Sequence, residues 1–240
     1  MIISSVNNEK IKEIRKLKNS KYVEAKKMFL IEGEHLVKEA CLSGMLFETI
    51  STKKVNYGVE NTIVTSNVIK SLSTLSTPPD IIGICKFTNE NKKLGNRVII
   101  LDGVQDPGNL GTIIRSSVAF GFTSIVLSPN CVKKHNEKVI RATQGMIFKA
   151  NVITANLEEL IPELISDGYE VYGTDVKEGV NVKEIKSRDK IAIVMGSEGS
   201  GVSLEVKKLV SDNIYINMNN NCESLNVAVA ASILMYELQK

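Results

Sequence analysis

The sequence predicts an α/β protein, with a mostly parallel sheet covered by helices on both faces in its C-terminal part and a smaller α/β unit ahead of it. Three observations predict this. From residue 97 onward, short β-branched apolar runs alternate with segments of helical periodicity, the pattern of parallel strands joined by covering helices. Residues 88–96, TNENKKLGN, are the most polar window in the chain and have linker composition. Residues 214–237 pass from a β-branched strand through an asparagine-rich loop into a helix that is apolar in nearly every direction: Leu225, Val227, Ala228, Val229, Ala231, Ile233, Leu234 and Met235. Such a helix needs cover on more than one side. The expected division is 1–87, a linker over 88–96, and a second domain over 97–240.

In the first part, Asn7 or Asn8 caps a helix to about Leu17, with Ile11, Ile14 and Leu17 on one stripe and lysines elsewhere. A strand over 28–32 runs into Gly33, and a helix over 34–42 turns Leu36, Val37 and Ala40 inward. Strands over 47–51 and 62–65, a helix over 66–75 and a strand over 81–87 complete the unit. In the second part, strands are expected over 98–101, 124–127, 150–153, 170–174, 190–195 and 214–216. Helices are expected over 110–120, 137–144, 157–166 and 204–210, and from Ser224, a natural N-cap, to the end.

Composition bounds the function. The four cysteines (Cys41, Cys85, Cys131, Cys222) form no Cys-x-x-Cys pair and there are only two histidines, so neither a zinc site nor a disulfide scaffold is encoded. The N-terminus has no signal layout, and no apolar run approaches the roughly 20 residues of a membrane span. A cytoplasmic protein with no metal and no membrane partner is expected. Net charge is only +3, but residues 1–30 hold eight Lys or Arg against three Glu. Lys10, Lys12, Arg15 and Lys16 belong to that cluster, which reads either as a solvated helix face or as a surface for phosphates.

Ligands of parallel sheets gather at the carboxyl ends of strands. Three loops leave such ends: 102–111 presents Asn109 and then Arg115, 196–201 presents Glu198, and 217–223 leads to Ser224 and Asn226. Their glycines let main-chain groups approach a ligand. Singly, Asn109 reads as a turn residue, Arg115 and Arg141 as surface charges, Glu198 as a loop acid and Ser224 as a cap. A nucleotide-phosphate fold is the first rival, but the chain has no Gly-x-x-x-x-Gly-Lys-Ser/Thr loop. Gly103 to Gly111 imitates a dinucleotide fingerprint with the wrong spacing.

Taken together, LDGVQDPGNLGTIIRSS (101–117), IVMGSEGSGVS (193–203) and ESLNVAVAASILMYE (223–237) resemble, in order and separation, the three motifs of the SpoU/TrmH family of SPOUT-class RNA ribose 2′-O-methyltransferases. The resemblance spans residues 97–239. FLIEGEHLVKEA (29–40) and STPPDIIGI (76–84) are similar to the ribosomal-protein-like, RNA substrate-binding domain that many members carry.

The resemblance implies methyl transfer from S-adenosylmethionine to a ribose 2′-hydroxyl, a C-terminal trefoil knot, and a homodimer whose active site forms at the subunit interface. It implies cofactor contacts, largely main-chain, from Thr174, Met195, Gly196, Ile216, Met218, Ser224 and Leu225. Arg115 matches the family's catalytic arginine. A guanidinium has almost no neutral form near pH 7, so the reading favoured for Arg115 is to clamp phosphate and stabilise a developing alkoxide. Asn109 and Glu198 would orient substrate and Arg115, and Ser224 and Asn226 would shape the cofactor loop and active site. Arg141 matches a position near RNA, and Lys10, Lys12, Arg15 and Lys16 become RNA-holding surface. RNA is the implied partner, with ribosomal RNA preferred over transfer RNA through the substrate-domain resemblance. A transfer-RNA ribose methyltransferase, an enzyme modifying a base nitrogen and a non-catalytic knotted RNA-binding module are the alternatives. One departure is visible: Asn217 stands where the family usually has proline before Met218, which gives the loop an extra N–H and more freedom.

Overall fold

The computed structural model describes residues 2–88, 91–186 and 189–239. Asn89 and Glu90, inside the expected linker, lie outside the described residues. In chain order the elements begin with β1 (Ile2–Ile3), α1 (Glu9–Lys16), α2 (Ser20–Lys26), β2 (Met28–Glu32), α3 (Glu34–Leu42), β3 (Leu46–Ser51), β4 (Glu60–Val64), α4 (Ser66–Leu72) and β5 (Ile81–Lys86). They continue with β6 (Arg97–Leu101), α5 (Pro107–Ala119), β7 (Ser124–Leu127), α6 (Glu137–Thr143), β8 (Asn151–Thr154), α7 (Leu157–Ser166), β9 (Glu170–Thr174) and β10 (Val180–Asn181). The last are β11 (Ile191–Met195), α8 (Leu204–Lys207), β12 (Asp212–Tyr215) and α9 (Val227–Glu237). Two compact units result: residues 1–89 with 135–148, and residues 90–134 with 149–240.

The first unit is a five-stranded mixed sheet in the order β1-β4-β3-β5-β2. The β1–β4 and β3–β4 pairs are parallel, and β5 runs antiparallel to β3 and β2. Its core takes Ile11 and Ile14 from α1, Val37 and Ala40 from α3, and Val68, Ile69 and Leu72 from α4, all buried with Phe29, Ile31, Ile50 and Ile82 of the sheet. Ile140 of α6 joins the same core, so a helix that falls within the C-terminal part of the sequence packs in the first unit.

The second unit is a seven-stranded sheet in the order β10-β12-β9-β11-β6-β7-β8, and every pairing in it is parallel. After Arg97 and Ser124 at their starts, β6 and β7 are apolar throughout, as is β11, because both faces of a parallel sheet are covered. On one face Val98, Ile100, Val126, Val171, Ala192 and Val194 pack with Leu157, Ile161 and Leu164 of α7 and Val206 of α8. The alternating set, Ile99, Leu101, Ile125 and Ile193, is equally buried on the other face. Helices α5 and α9 lie against each other through small side chains: the Ser232 hydroxyl donates to Ser116 Oγ at 2.7 Å, and the Ser117 hydroxyl donates to the Met235 sulfur at 3.3 Å.

Several details depart from expectation, for local reasons. Helix α5 begins three residues early, because Pro107 occupies its first turn and Asp106 caps it by accepting from the Asn109 amide at 2.8 Å. The closing helix is capped by Asn226, not Ser224: Asn226 Oδ1 accepts from the amides of Ala228 at 3.0 Å and Val229 at 3.3 Å. This helix is also less enclosed than its composition requires, with Val229 47% and Tyr236 58% exposed. Strand β1 and helix α2 escape the periodic reading because β1 is only two residues long and α2 is mostly polar.

Candidate active site

The sheet order puts the site where it is. From β6 the chain proceeds outward to β7 and β8, then returns to build β9, β11 and β12 on the other side, so β6 and β11 flank a topological switch point. Their ends are in register, Met195 opposite Leu101, and the following loops therefore start side by side. Asp102 links them: its amide donates to Met195 O at 2.8 Å, and its buried carboxylate accepts from the Ser203 amide at 2.8 Å. An acid at the end of a buried strand is the signal by which the sequence could have revealed this tie.

Across the switch point, side chains from three loops meet. Asn109 Nδ2 donates to Glu198 Oε1 in a short hydrogen bond. Asn226 Nδ2 donates to Asn109 Oδ1 at 3.1 Å and to Glu198 Oε1 at 3.2 Å. Asn226 thus caps α9 with its oxygen and grips the other two residues with its nitrogen. The amide orientations follow from the hydrogen bonds they allow.

The loop that carries Glu198 is folded on itself, with Ser197 and Gly201 exchanging main-chain hydrogen bonds of 3.0 Å in both directions. Gly196 makes this possible. A Cβ there would lie 1.9 Å from the Gly201 carbonyl carbon and 2.0 Å from the Val202 nitrogen. Gly201 completes the turn at φ +67°, the left-handed region that favours glycine.

Two cavities open on this arrangement. The larger, about 570 Å³, brings together all seven residues expected at the cofactor: Thr174, Met195, Gly196, Ile216, Met218, Ser224 and Leu225. Glu198 and Asn226 also line it. The smaller, about 400 Å³, is lined by Asn109, Glu198, Asp102 and Asn130 among others. The larger has the size of a small-molecule site, with an apolar wall facing a wall of polar and charged groups. Met195, Ile214, Ile216, Met218, Leu225 and Val227 suit an adenine ring and the methylene chain beside a sulfonium, while the tight turn at Gly196 leaves main-chain groups within reach. These residues fit S-adenosylmethionine.

Two charged residues of the cavity wall were not among the sequence expectations. Asp175, just beyond β9, and Lys207, at the end of α8, form an ion pair of 2.8 Å. Burial pushes the Asp175 carboxyl up, but the hydrogen bond from Lys207 and the amides of Lys177 and Glu178 outweigh it, and the group titrates at about 2.

Arg115 is placed differently. It lies on α5 six residues beyond Asn109, about 9 Å further along the axis, is exposed, and lines neither cavity. Arg141, Lys10, Lys12, Arg15 and Lys16 all belong to the first unit. Arg141 Nη1 donates to Thr74 Oγ1 at 2.9 Å. Lys10 pairs with Glu48 at 2.5 Å and Glu60 at 2.9 Å, Lys12 with Glu9 at 2.9 Å, and Lys16 with Glu13 at 2.5 Å. Arg15 donates to Val6 O at 2.8 Å and Ser71 Oγ at 3.1 Å. Among the described residues no group of three or more His, Cys, Asp or Glu could hold a metal, and no helix is long and apolar enough to cross a membrane.

Comparison with known proteins agrees with this geometry. Residues 96–236 match the SpoU rRNA methylase family, and residues 8–83 match the MRM3-like substrate-binding domain. The 23S rRNA (guanosine(2553)-2′-O)-methyltransferase RlmP of Bacillus subtilis is 35% identical over 99% of this chain and 98% of its own. The structure of an AdoMet-bound rRNA methyltransferase from Sinorhizobium meliloti superposes with a TM-score of 0.88 at 27% identity, covering 99% of this chain and 96% of that one. An RNA 2′-O ribose methyltransferase superposes with a TM-score of 0.83 at 25% identity, covering 99% and 97%. With the motifs, the parallel sheet and the cofactor-sized cavity in place, the chain belongs to the SpoU rRNA methylase family.

Proposed function

We propose that this protein methylates a ribose 2′-hydroxyl of ribosomal RNA with S-adenosylmethionine as donor, and that it does so as a homodimer in the cytoplasm. The observation that carries the reading is the convergence of Asn109, Glu198 and Asn226, from three loops, beside a cavity lined by every residue expected at the cofactor. S-adenosylmethionine supplies a methyl group on a sulfonium leaving group, so the protein's task is alignment and management of the hydroxyl proton.

Asn109 and Asn226 hold one oxygen of Glu198 and so set the carboxylate's orientation. Glu198 and Asn109 then present fixed acceptors and donors to the substrate, and Arg115 clamps a phosphate and stabilises the oxygen as it gains negative charge. Ser224 and Leu225 contribute from the loop that closes the cofactor cavity.

Arg115 sits outside the cavities of its own chain, and α9, packed on α5, leaves Val229 and Tyr236 exposed on one stripe with half-buried Ile233. Both facts support a dimer in which the arginine of one subunit serves the cofactor of the other. The adjacency of β9, β11 and β12, with the loops after β11 and β12 closing over one cavity, supports a trefoil knot in this region. We assign RNA holding to the first unit, with 1–87 as the substrate-binding domain, 88–96 as the linker and 97–240 as the methyltransferase domain. Arg141 of α6 and Lys10, Lys12, Arg15 and Lys16 of α1 are its phosphate ligands, the lysines by exchanging their acid partners for phosphate. The match to a substrate-binding domain supports this, and the likeness to a 23S rRNA methyltransferase favours ribosomal over transfer RNA.

The test is incubation of the purified protein with ribosomal RNA, or with transfer RNA, and labelled S-adenosylmethionine. Label in ribosomal RNA at one nucleotide whose 3′ linkage resists alkaline cleavage is the expected result. Label in transfer RNA alone, on a base, or nowhere overturns the reading.

A further inference from the structure

The cofactor cavity holds a charge arrangement that the catalytic reading leaves unused. Asp175 enters the wall directly after β9, where its amide donates to Ile214 O at 3.1 Å. Its Oδ1 accepts from the amides of Val176 at 2.7 Å, Lys177 at 3.2 Å and Glu178 at 3.3 Å, and its Oδ2 accepts from Lys207 Nζ at 2.8 Å. Oδ1 is therefore crowded by three amides, and Oδ2 faces Lys207. Lys207 differs. An ammonium has three donors, and Asp175 takes one.

Lys207 is the only cationic side chain among the described residues that line this cavity. S-adenosylmethionine carries two positive centres, the sulfonium and the ammonium, and a single anionic group, the carboxylate of its methionine half. Removing a carboxylate from water without a charged or hydrogen-bonding partner is costly, and Lys207 is the cation this cavity offers it. An ion pair this open to solvent adds little to folding stability by itself. Its side chains are 19% and 32% exposed for Asp175 and Lys207, open enough to meet a ligand and sheltered enough to hold one geometry.

We propose that Lys207, held in place by Asp175, binds the carboxylate of the methionine half of S-adenosylmethionine and thereby selects the amino-acid end of the cofactor. The inference rests on the assignment of this cavity as the cofactor site. Asp175 acts through Lys207 and is a positioning residue; Lys207 is the binding residue.

Calorimetric titration of the full-length protein with S-adenosylmethionine and with its decarboxylated analogue, which keeps both positive centres and lacks only the carboxylate, tests it. Wild-type protein is expected to prefer the intact cofactor. Lys207→Met should raise the Kd for S-adenosylmethionine about three- to tenfold, the range for a partly exposed charge-assisted hydrogen bond, and leave the Kd for the analogue within about twofold. Lys207→Arg should keep most of the affinity for the intact cofactor. Equal weakening of both ligands in Lys207→Met, or no change in either, overturns the inference while leaving the cavity assignment standing. Wild-type protein that binds neither ligand overturns the cavity assignment, and the inference with it.

Discussion

Helix α1 of the first unit and the Glu198 loop of the second hold their charges in opposite ways. In the first, the lysines of α1 are paired with acids of the same unit, and Lys10 lies between Glu48, whose side chain is only 8% exposed, and Glu60. Burial alone would push the Lys10 ammonium down, yet the two carboxylates raise it. In the second unit, the Glu198 carboxylate is held by two amide side chains, and no cation pairs with it among the described residues. A charge cluster in sequence therefore overstates what the first unit has free for a partner. A carboxylate oriented by neutral donors at the ends of parallel strands is a better mark of chemistry, because its charge is not already cancelled.

The largest expected effect lies at Gly196, where the second unit has no slack. Gly196→Ala drives a methyl group into the main chain of Gly201 and Val202. Overpacking of this kind costs about 1–3 kcal/mol, and the variant should melt several degrees lower and lose measurable S-adenosylmethionine binding in calorimetry. A variant that binds the cofactor normally would show that the tight turn does not shape the site.

Arg115→Ala is next. It should leave the Kd for the cofactor within about twofold, since Arg115 lines neither cavity, while methyl transfer falls about 100- to 1,000-fold, the scale for loss of one charge-stabilising donor. Full turnover would remove Arg115 from the reaction.

Asn226 separates structure from chemistry within one side chain. Asn226→Ala loses the cap of α9, worth about 1 kcal/mol, and releases Glu198. Asn226→Asp keeps a capping oxygen but sets a second carboxylate against Glu198. Thermal melts should rank the aspartate variant close to wild type, whereas turnover should be low in both. Turnover that follows stability instead would make Asn226 a cap and nothing more.

In the first unit the effects are smaller and can be read from salt dependence. Lys21 and Lys26 form no ion pair with the described residues, and the Lys26 ammonium lies 5.6 Å from the centre of the Tyr22 ring. Joint replacement of both by alanine should weaken RNA binding and reduce the salt slope by about 1–2. Lys10→Ala should change the slope less and stability more, because Glu48 is left buried without its partner. Equal slopes for the two variants would erase the distinction between paired and unpaired cations.

The smallest effect concerns pH. The Asp175 carboxyl titrates at about 2 in the folded chain, below the ordinary carboxyl range, so its contribution to stability is present above about pH 4 and is lost as pH falls towards 2. Asp175→Asn lacks that contribution. The gap between the urea midpoints of wild type and variant should therefore narrow as pH is lowered through this window, and a constant gap would mean that the carboxyl is not held low by folding.

Much of this was legible before the structure. Helices α3 and α7 and strands β2, β7 and β9 fall where periodicity places them, and the three loops carry the motifs by which the family is known. Asp175 and Lys207 were not legible: 32 residues separate them, neither belongs to a motif, and only the adjacency of the loop after β9 to the end of α8 makes them neighbours. Ser224 precedes the apolar run as a cap would, but Asn226 reaches the free amides two and three residues on.

By itself, the sequence determined what depends on near neighbours along the chain: periodic apolar faces, buried parallel strands, turns that only glycine permits, and the family. The tertiary structure decided what depends on residues far apart in the chain: the strand order that puts β6 beside β11, the packing of α6 with the N-terminal unit, the meeting of Asn109, Glu198 and Asn226, and which lysines are already paired. The physical reason is that a hydrogen bond or ion pair depends on distances of about 3 Å in space, whereas sequence patterns report only which face of its own element a side chain occupies.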